Sequence, residues 1–288
     1  MNSLKKWNIY QRERFPILPY SFLISTLIFA VSALNGNFDF VSMVKAFVVA
    51  LLMFFLLRVA DEFKDYEDDC KYRPYRAVPR GLVSLKSLGI LGTIALLIQL
   101  VILYSGAGDT ALYAFFLVLG YWGLMSVEFF VPKWLKAHAT IYLLSHMVLM
   151  PMISWLLLAM MGAESWMNFL PFLLLSFLNG VVLEVGRKIR QRDEEEDGVD
   201  TYSALWGAEK ALVVWKIVIA LGFVCALILL PGVMQIIALA ILALLLFFIQ
   251  KTARNFLADK TLKGKKIDTL SAVWLLATYI LIGVGGVV

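Results

Sequence analysis

Long apolar stretches separated by short polar segments run along almost the whole chain. A helix needs about 20 consecutive apolar residues to cross the hydrocarbon core of a bilayer. Stretches of this length predict nine membrane-spanning helices, at residues 16–34, 41–60, 86–105, 110–128, 139–161, 167–184, 211–230, 233–250 and 268–287. The pattern therefore predicts an all-α polytopic membrane protein, a bundle of nine transmembrane helices that forms a single domain over residues 1–288.

The composition supports a membrane protein. Apolar residues make up 61% of the 288 residues, whereas soluble domains contain about 45–50%. Only 16% of the residues are charged, and three longer connections, at residues 61–85, 185–210 and 251–267, hold most of them. The segment before the first span, MNSLKKWNIYQRERFP, is basic and partly aromatic, which is typical of a segment that lies on the membrane surface.

The positions of lysine and arginine predict how the bundle is oriented. They cluster before the first span and after spans two, four, six and eight, and they are missing from the loops at 35–40, 106–109, 162–166 and 231–232. Because basic residues accumulate in cytoplasmic loops, we expect a cytoplasmic N-terminus, cytoplasmic charged loops and an outer C-terminus, in a prokaryotic cell membrane. The net charge of +5 then reflects topology and contact with anionic membrane lipids, and no nucleic acid is expected as a partner.

The segment after the second span combines carboxylates with basic residues. It reads RVADEFKDYEDDCKYRPYRAVPRG over residues 58–81. On a helix, Asp61, Asp65 and Asp69 are spaced four residues apart and share one face. A divalent cation would relieve their repulsion, and Mg²⁺ is usually held by one or two carboxylates together with substrate phosphates. The spacing predicts a Mg²⁺ site with Asp61, Asp65 and Asp69 as ligands.

Basic side chains follow these carboxylates within the same segment. Arg73, Arg76 and Arg80 are natural partners for the oxygens of a diphosphate, because a guanidinium binds such oxygens through two parallel hydrogen bonds. The alternative interpretation is a solvated loop whose charges only fix the topology. The regular spacing of the acids favours the metal and diphosphate site.

A second charged segment follows the sixth span in the same way. It reads LEVGRKIRQRDEEEDGVDTYSALWG over residues 183–207. Glu184 lies 123 residues after Asp61, at the equivalent place in the chain (184 − 61 = 123). This indicates a weak internal repeat of helices 1–4 and 5–8, with helix 9 left over. Two acidic helix ends that face each other across a bundle would form one site, as repeats do in many membrane proteins.

Together these segments resemble the UbiA family of intramembrane prenyltransferases. The first one resembles the family's N-D-x-x-D-x-x-x-D motif, with Asp61 in place of Asn and Glu62 in place of the first Asp. Residues 74–81 look like its basic R-P-x-x-x-G loop, and residues 198–207 are similar to its G-x-x-T-x-x-x-x-x-G pattern. The second acidic motif departs from the family, because Lys188 stands where an acid usually follows four residues after the first.

The resemblance implies an activity and a set of site residues. The implied reaction is the Mg²⁺-assisted loss of diphosphate from an allylic isoprenyl diphosphate donor, followed by transfer of the prenyl group to a hydrophobic or aromatic acceptor. The metal-holding and catalytic carboxylates would be Asp61, Glu62, Asp65 and Asp69, which we call motif one, together with Glu184. The basic residues implied to bind the diphosphate are Arg73, Arg76, Arg80, Arg187 and Lys188.

Inside the predicted spans, aromatic and polar side chains are further candidates. An allylic cation can be stabilised by aromatic rings, for which we select Tyr121, Trp122 and Tyr142. His146 is a candidate for the group that accepts a proton, although a hydrogen bond to a neighbouring helix explains it equally well. Glu128 is also polar, but it lies close enough to the membrane edge to be interfacial.

Two other functions fit the same sequence. A terpene cyclase on the same scaffold would trap the cation within the donor and would use the same first motif. A transporter coupled to cations would also contain acids, but transporter sites usually lie near the bilayer midplane, whereas these acids lie at helix ends. The sequence favours a transferase or a cyclase over a transporter, and it leaves the first two open.

Overall fold

The structure is a computed structural model that describes residues 3–287. Within this part of the chain every regular element is helical, and no β-strand is present. The α-helices are α1 Ser3–Arg14, α2 Ile17–Asn35, α3 Phe40–Lys64, α4 Tyr66–Tyr72, α5 Leu85–Tyr104, α6 Asp109–Ser126, α7 Pro132–Ala137, α8 Ala139–Met147, α9 Leu149–Met160, α10 Leu170–Arg187, α11 Tyr202–Trp206, α12 Ala208–Leu229, α13 Gly232–Ala258 and α14 Lys265–Gly285.

Eight helical segments among the described residues are long and apolar enough to cross a membrane. They correspond to eight of the nine predicted spans. The fourth predicted span forms α6, an 18-residue helix that is not among the eight. Polar residues at both of its ends, Asp109 and Ser126, lower its hydropathy. The prediction of an all-α polytopic protein is confirmed, and eight of its nine predicted spans meet this criterion among the described residues.

The fifth span is broken into α8 and α9. The break lies at Val148, three residues before Pro151. Proline has no amide hydrogen to donate to the carbonyl four residues earlier, here that of Met147, so it interrupts the helix. Val148 itself keeps helical angles, with φ −56° and ψ −27°, so α8 and α9 together form one membrane span.

Local signals fix where several spans begin and end. The Asp39 carboxylate accepts a hydrogen bond of 2.8 Å from the Ser42 amide and caps α3. The Ser84 hydroxyl accepts one of 3.1 Å from the Ser87 amide and caps α5. Such caps satisfy amides that have no partner within the helix. Gly36 ends α2 with φ +61°, a left-handed conformation that glycine adopts without a steric penalty.

The long helices pack in chain order, each on the next, and α14 packs back on α2. The enclosed helix is α9, of which eight of twelve residues are buried. It contacts both α3 and α10, the helices that carry the two charged segments. The charged ends of these two helices lie beside α8, which contacts α10 and whose Tyr142 accepts a hydrogen bond from Lys64 at the end of α3. We call the end of the bundle formed by residues 58–84 and 184–207 the charged end.

The N-terminal helix α1 lies across the charged end. Its Tyr10 is buried against Val59 of α3, Val78 of the following loop and Leu88 of α5. This small apolar cluster is separate from the main core of the bundle. Burial of these side chains holds α1 in place, next to the first acidic motif.

Candidate active site

The first acidic motif continues α3 across a junction. Helix α3 ends at Lys64, and Asp65 has φ −90° and ψ 4° before α4 begins. Helical hydrogen bonds nevertheless continue, from the Asp65 amide to the Asp61 carbonyl at 2.9 Å and from the Asp69 amide to the Asp65 carbonyl at 2.8 Å. The three aspartates therefore lie on successive turns, which is the spacing that the sequence pattern suggested.

Two carboxylates of this motif are buried and paired with arginines. Glu62 is 2% exposed and Asp69 is 1% exposed. The Arg14 Nε atom of α1 lies 2.5 Å from Glu62 Oε1. Asp69 lies 2.7 Å from Arg73 Nη2 and accepts a hydrogen bond of 2.8 Å from Arg76 Nη1. Buried carboxylates are stable only with such partners, so these pairs fix the motif-one loop and join it to α1.

Asp61 and Asp65 are more accessible to a ligand. The Asp61 side chain is 42% exposed and lies 3.3 Å from Arg58, one turn earlier on α3. Burial raises the pKa of the Asp65 carboxyl, and the neighbouring Asp61 and Asp69 carboxylates raise it further, against the opposite effect of Lys64. Negative groups therefore crowd around Asp65, and a bound cation would relieve their repulsion.

The third arginine of the basic loop has different partners. Arg80 donates to Glu13 of α1 at 2.8 Å and to the Tyr75 carbonyl at 2.6 Å. It joins the loop to α1, whereas Arg73 and Arg76 contact the motif-one carboxylate Asp69. The structure thus brings two of the three predicted diphosphate-binding arginines to the acidic motif.

The second motif is centred on Glu184, near the end of α10. Its carboxylate accepts a hydrogen bond of 2.6 Å from Arg187 Nε and lies 3.1 Å from Lys188 Nζ. The Lys188 ammonium also lies 5.6 Å from the centre of the Tyr202 ring. Glu184 is therefore held by both basic residues that the sequence analysis assigned to diphosphate binding.

The acids that follow Glu184 fold the second loop. Glu194 accepts a hydrogen bond of 2.8 Å from the Gly264 amide, between α13 and α14. Glu195 accepts hydrogen bonds from Thr201 at 2.6 Å and from Ser203 at 2.7 Å. These contacts shape the segment 191–203 and attach it to the rest of the bundle.

The two charged segments meet at the charged end. Tyr75 donates a hydrogen bond of 2.9 Å to Glu196. Gly198 packs against the Tyr72 ring so closely that a Cβ atom there would lie 2.5 Å from it. The Arg187 guanidinium interacts electrostatically with Asp61 of motif one as well as with Glu184. The structure therefore brings the two motifs to one site.

Aromatic and polar side chains lie next to this site. Lys64 donates a hydrogen bond of 3.0 Å to the Tyr142 hydroxyl. The rings of Tyr142 and His146 are stacked, with their centres 3.9 Å apart. The Tyr121 hydroxyl donates a hydrogen bond of 2.6 Å to the carbonyl of Ser145, which lies on α8 together with Tyr142 and His146. Three of the candidates predicted within the spans, Tyr121, Tyr142 and His146, are thus grouped next to motif one.

Two functional candidates were missed by the sequence analysis. Lys64 was taken only as a topology marker, yet it connects motif one to Tyr142. Glu128 was taken as interfacial, yet it is 6% exposed and lies 3.8 Å from Lys64. The available signal was the spacing of Lys64, three residues after Asp61, which puts the two side chains on the same side of a helix.

The profile of the UbiA prenyltransferase family matches residues 22–284. This chain belongs to the UbiA prenyltransferase family. Among solved structures, it is similar to a digeranylgeranylglyceryl phosphate synthase, with 16% identity and a TM-score of 0.63 over 98% of this chain and 99% of that one. No curated protein sequence matches it.

Two UbiA homologues from archaea also share the fold. The homologue from Aeropyrum pernix K1 is 16% identical, with a TM-score of 0.64 over 92% of this chain and 97% of that one. The homologue from Archaeoglobus fulgidus, bound to DMAPP and Mg²⁺, is 13% identical, with a TM-score of 0.61 over 96% and 99% of the two chains. At these identities the similarity shows a common architecture along nearly the whole chain.

The acidic groups fit the way in which Mg²⁺ is bound with a phosphorylated substrate. Among residues 3–287, no three His, Cys, Asp or Glu side chains converge closely enough to hold a metal ion alone. Mg²⁺ usually takes only one or two carboxylates and completes its coordination with water and substrate phosphates. Asp61 and Asp65 offer two carboxylates at the junction of α3 and α4, so the donor set of this UbiA protein is suited to that mode of binding.

Proposed function

We propose that this UbiA protein is an intramembrane, Mg²⁺-dependent prenyltransferase, which uses an allylic isoprenyl diphosphate donor and a hydrophobic or aromatic acceptor. The observation that carries the proposal is that the two charged segments meet at one end of the bundle, through the hydrogen bond from Tyr75 to Glu196 and the packing of Gly198 on Tyr72, beside a group of aromatic rings. The similar homologue that binds DMAPP and Mg²⁺ supports both the donor and the metal.

Each carboxylate has a role in this proposal. Asp61, Asp65 and Glu184 would hold Mg²⁺, with Asp69 and Glu62 completing the acidic motif and orienting its arginines. When bound, Mg²⁺ would neutralise the charge that develops on the departing diphosphate. Asp61 and Asp65 are the most accessible of these groups, which supports their place as the first ligands.

The basic residues would bind the diphosphate oxygens. Arg73 and Arg76 flank Asp69, and Arg187 and Lys188 flank Glu184. In each pair, two positive side chains share one negative carboxylate. One positive charge therefore remains, and it attracts a phosphate group. In this arrangement Arg80 acts by fixing the loop against α1.

The reacting prenyl group would lie beside the aromatic rings. Loss of diphosphate leaves an allylic cation, which the π faces of Tyr121, Trp122 and Tyr142 would stabilise. The acceptor supplies an electron pair to the cation and then loses a proton. His146 Nδ1 lies 2.8 Å from the Tyr142 carbonyl, so Nδ1 carries the hydrogen and Nε2 is free to take that proton.

The location follows from the same proposal. The apolar helices make this an integral multi-pass membrane protein. We place the charged end in the cytoplasm, where soluble Mg²⁺ and the diphosphate head of the donor are available, and the prenyl chain among the helices and membrane lipids. Lysine and arginine are concentrated at the charged end and are missing from the loops at 35–40, 106–109, 162–166 and 231–232, which supports this orientation.

The experiment is a product analysis with purified protein. Geranyl, farnesyl and geranylgeranyl diphosphates would be supplied with Mg²⁺, with and without a panel of lipophilic and aromatic acceptors. We expect diphosphate release that stops with EDTA, and a prenylated acceptor as product. A cyclic hydrocarbon formed from the donor alone would instead show a terpene cyclase. No diphosphate release from any donor would contradict the proposal and favour a cation-coupled transporter.

A further inference from the structure

A left-handed turn follows α6 without any glycine. Glu128, Phe129 and Phe130 have φ angles of +48°, +53° and +61°. Side chains other than glycine, asparagine and aspartate rarely adopt this conformation, because Cβ approaches the backbone too closely. Three such residues in a row persist only where the surrounding structure holds them, and such strain is concentrated at functional sites.

The turn directs Glu128 into the protein. Its Oε1 atom lies 3.8 Å from Lys64 Nζ, and its Oε2 atom is inaccessible to solvent. Within the described part of the chain, Oε2 has no hydrogen-bond partner. A buried carboxylate oxygen without a partner is destabilising. A bound molecule that donates a hydrogen bond would remove this cost.

A second unpartnered acceptor lies close by. Phe129, the next residue of the turn, packs edge-on against His146, with ring centres 6.3 Å apart. His146 Nε2 is also buried and has no partner among the residues that the structure describes. Its Nδ1 atom donates to the Tyr142 carbonyl, so Nε2 of the neutral ring is a hydrogen-bond acceptor. Glu128 and His146 thus present two free acceptor atoms around Phe129, Lys64 and Tyr142.

The positive charge of Lys64 is already balanced by the carboxylate of Glu128. The Lys64 ammonium donates to the Tyr142 hydroxyl at 3.0 Å and lies beside the Glu128 carboxylate. A ligand carboxylate or phosphate at this place would meet Glu128, and Lys64, the cation beside it, is already paired with the Glu128 carboxylate. A neutral ligand with hydroxyl groups would satisfy both acceptor atoms.

We infer that Glu128 and His146 form the acceptor-recognition site, and that the prenyl acceptor is a neutral molecule with two hydroxyl groups, such as a diol or a dihydroxyarene. This inference rests on the proposed transferase function. One hydroxyl donates to Glu128 Oε2 and positions the molecule. The other donates to His146 Nε2 and is the reacting group.

The transfer balances with these groups. The bond between the prenyl carbon and diphosphate breaks, and diphosphate leaves with the electron pair. The hydroxyl oxygen donates a lone pair to the prenyl carbon, which forms the new carbon–oxygen bond. The hydroxyl proton passes to His146 Nε2 and from there to water. No oxidant, reductant or further co-reactant is required.

The test compares neutral and anionic acceptors of similar size. Hydroquinone and catechol would compete with 4-hydroxybenzoate, and a monoalkylglycerol with its phosphate. Binding to the protein without donor would be measured by thermal shift, and turnover by product analysis. We expect the neutral member of each pair to bind more tightly and to have the higher kcat/KM. Equal or better use of the anionic member would overturn the inference.

Glu128→Gln provides the second measurement, with Glu164→Gln as the matched control because Glu164 is exposed. Loss of a hydrogen bond to a charged group should lower kcat/KM for the neutral acceptor about tenfold or more in Glu128→Gln, whereas Glu164→Gln should leave it unchanged. Unchanged acceptor binding and turnover in a folded Glu128→Gln protein would overturn the inference. If binding prefers neutral acceptors but no donor releases diphosphate, only the transferase function fails.

Discussion

Lys188 Nζ lies 3.1 Å from Glu184 Oε1, so a lysine one turn further along the chain binds the carboxylate of the second motif. In the UbiA pattern an acid usually occupies the position of Lys188. The chain therefore has one acid fewer and one cation more at this motif. A lysine can bind a phosphate as a point charge, which supports fewer metal ions and more direct contacts to the diphosphate.

This arrangement predicts loss of activity for two substitutions of opposite charge change. Glu184→Gln should lower diphosphate release on the order of 100-fold, because a neutral amide is a poorer ligand for Mg²⁺ and stabilises less charge. Lys188→Asp should also lose activity, although it restores the usual family acid, because Glu184 would then face a second negative charge. Lys210→Asp, at an exposed position, is the control. Higher activity in Lys188→Asp would contradict the role given to this lysine.

Asp65 and Asp68 form a matched pair within motif one. Asp65→Ala should reduce diphosphate release on the order of 100-fold or more, since it removes a metal ligand at the centre where charge develops. Asp68 is 60% exposed and lies 3.9 Å from the exposed Lys136. Surface pairs of this kind contribute little, so Asp68→Ala should keep near-normal activity. Release assays on the two folded variants decide the point, and equal activities would exclude Asp65 as a ligand.

Arg14 supports motif one from outside the long helices. Its pair with Glu62 is buried, and removal of one partner of a buried ion pair costs about 3–5 kcal/mol. Arg14→Met should therefore lower the thermal unfolding midpoint and weaken activity, whereas Arg12→Met, at an exposed position of the same helix, should change neither. Thermal unfolding in detergent measures the effect. Restored stability in the double variant Arg14→Met with Glu62→Met would show that the unpaired charge is the cause.

Phe130 tests the left-handed turn. Its side chain is 77% exposed and its φ is +61°, so few contacts are lost when the ring is removed. Glycine tolerates this conformation and alanine does not, so Phe130→Gly should be more stable than Phe130→Ala by about 1 kcal/mol. Comparison of the two variants by thermal or denaturant unfolding isolates the backbone, because both lack the ring. A more stable alanine variant would indicate a right-handed turn.

The spans and the first motif could be predicted because their signals are local. Apolar length identifies the helices, and the spacing of Asp61, Asp65 and Asp69 places them on successive turns whatever the rest of the chain does. The partners of Glu62 and Asp69 could not be predicted in this way. Arg14 lies 48 residues before Glu62, and only the packing of α1 on the charged end brings the two together.

The turn at residues 128–130 could not be predicted for a different reason. Neither glutamate nor phenylalanine favours a positive φ, so the sequence contains no local signal for it. The turn is imposed by tertiary contacts, such as that of Phe129 with Tyr121 and that of Glu128 with Lys64. Glu128 was consequently assigned to the membrane interface, and its burial became visible only in the folded chain.

The sharing of Asp69 by Arg73 and Arg76 has a thermodynamic consequence. A diphosphate that binds these guanidiniums competes with the carboxylate, and a cation that binds the carboxylate competes with the guanidiniums. Bound diphosphate therefore frees the carboxylate for the cation, and the bound cation frees the guanidiniums for diphosphate. The same exchange applies at Glu184, which is shared by Arg187 and Lys188. By linkage, in the proposed enzyme the donor would raise the affinity for Mg²⁺ by the same factor as Mg²⁺ would raise the affinity for the donor.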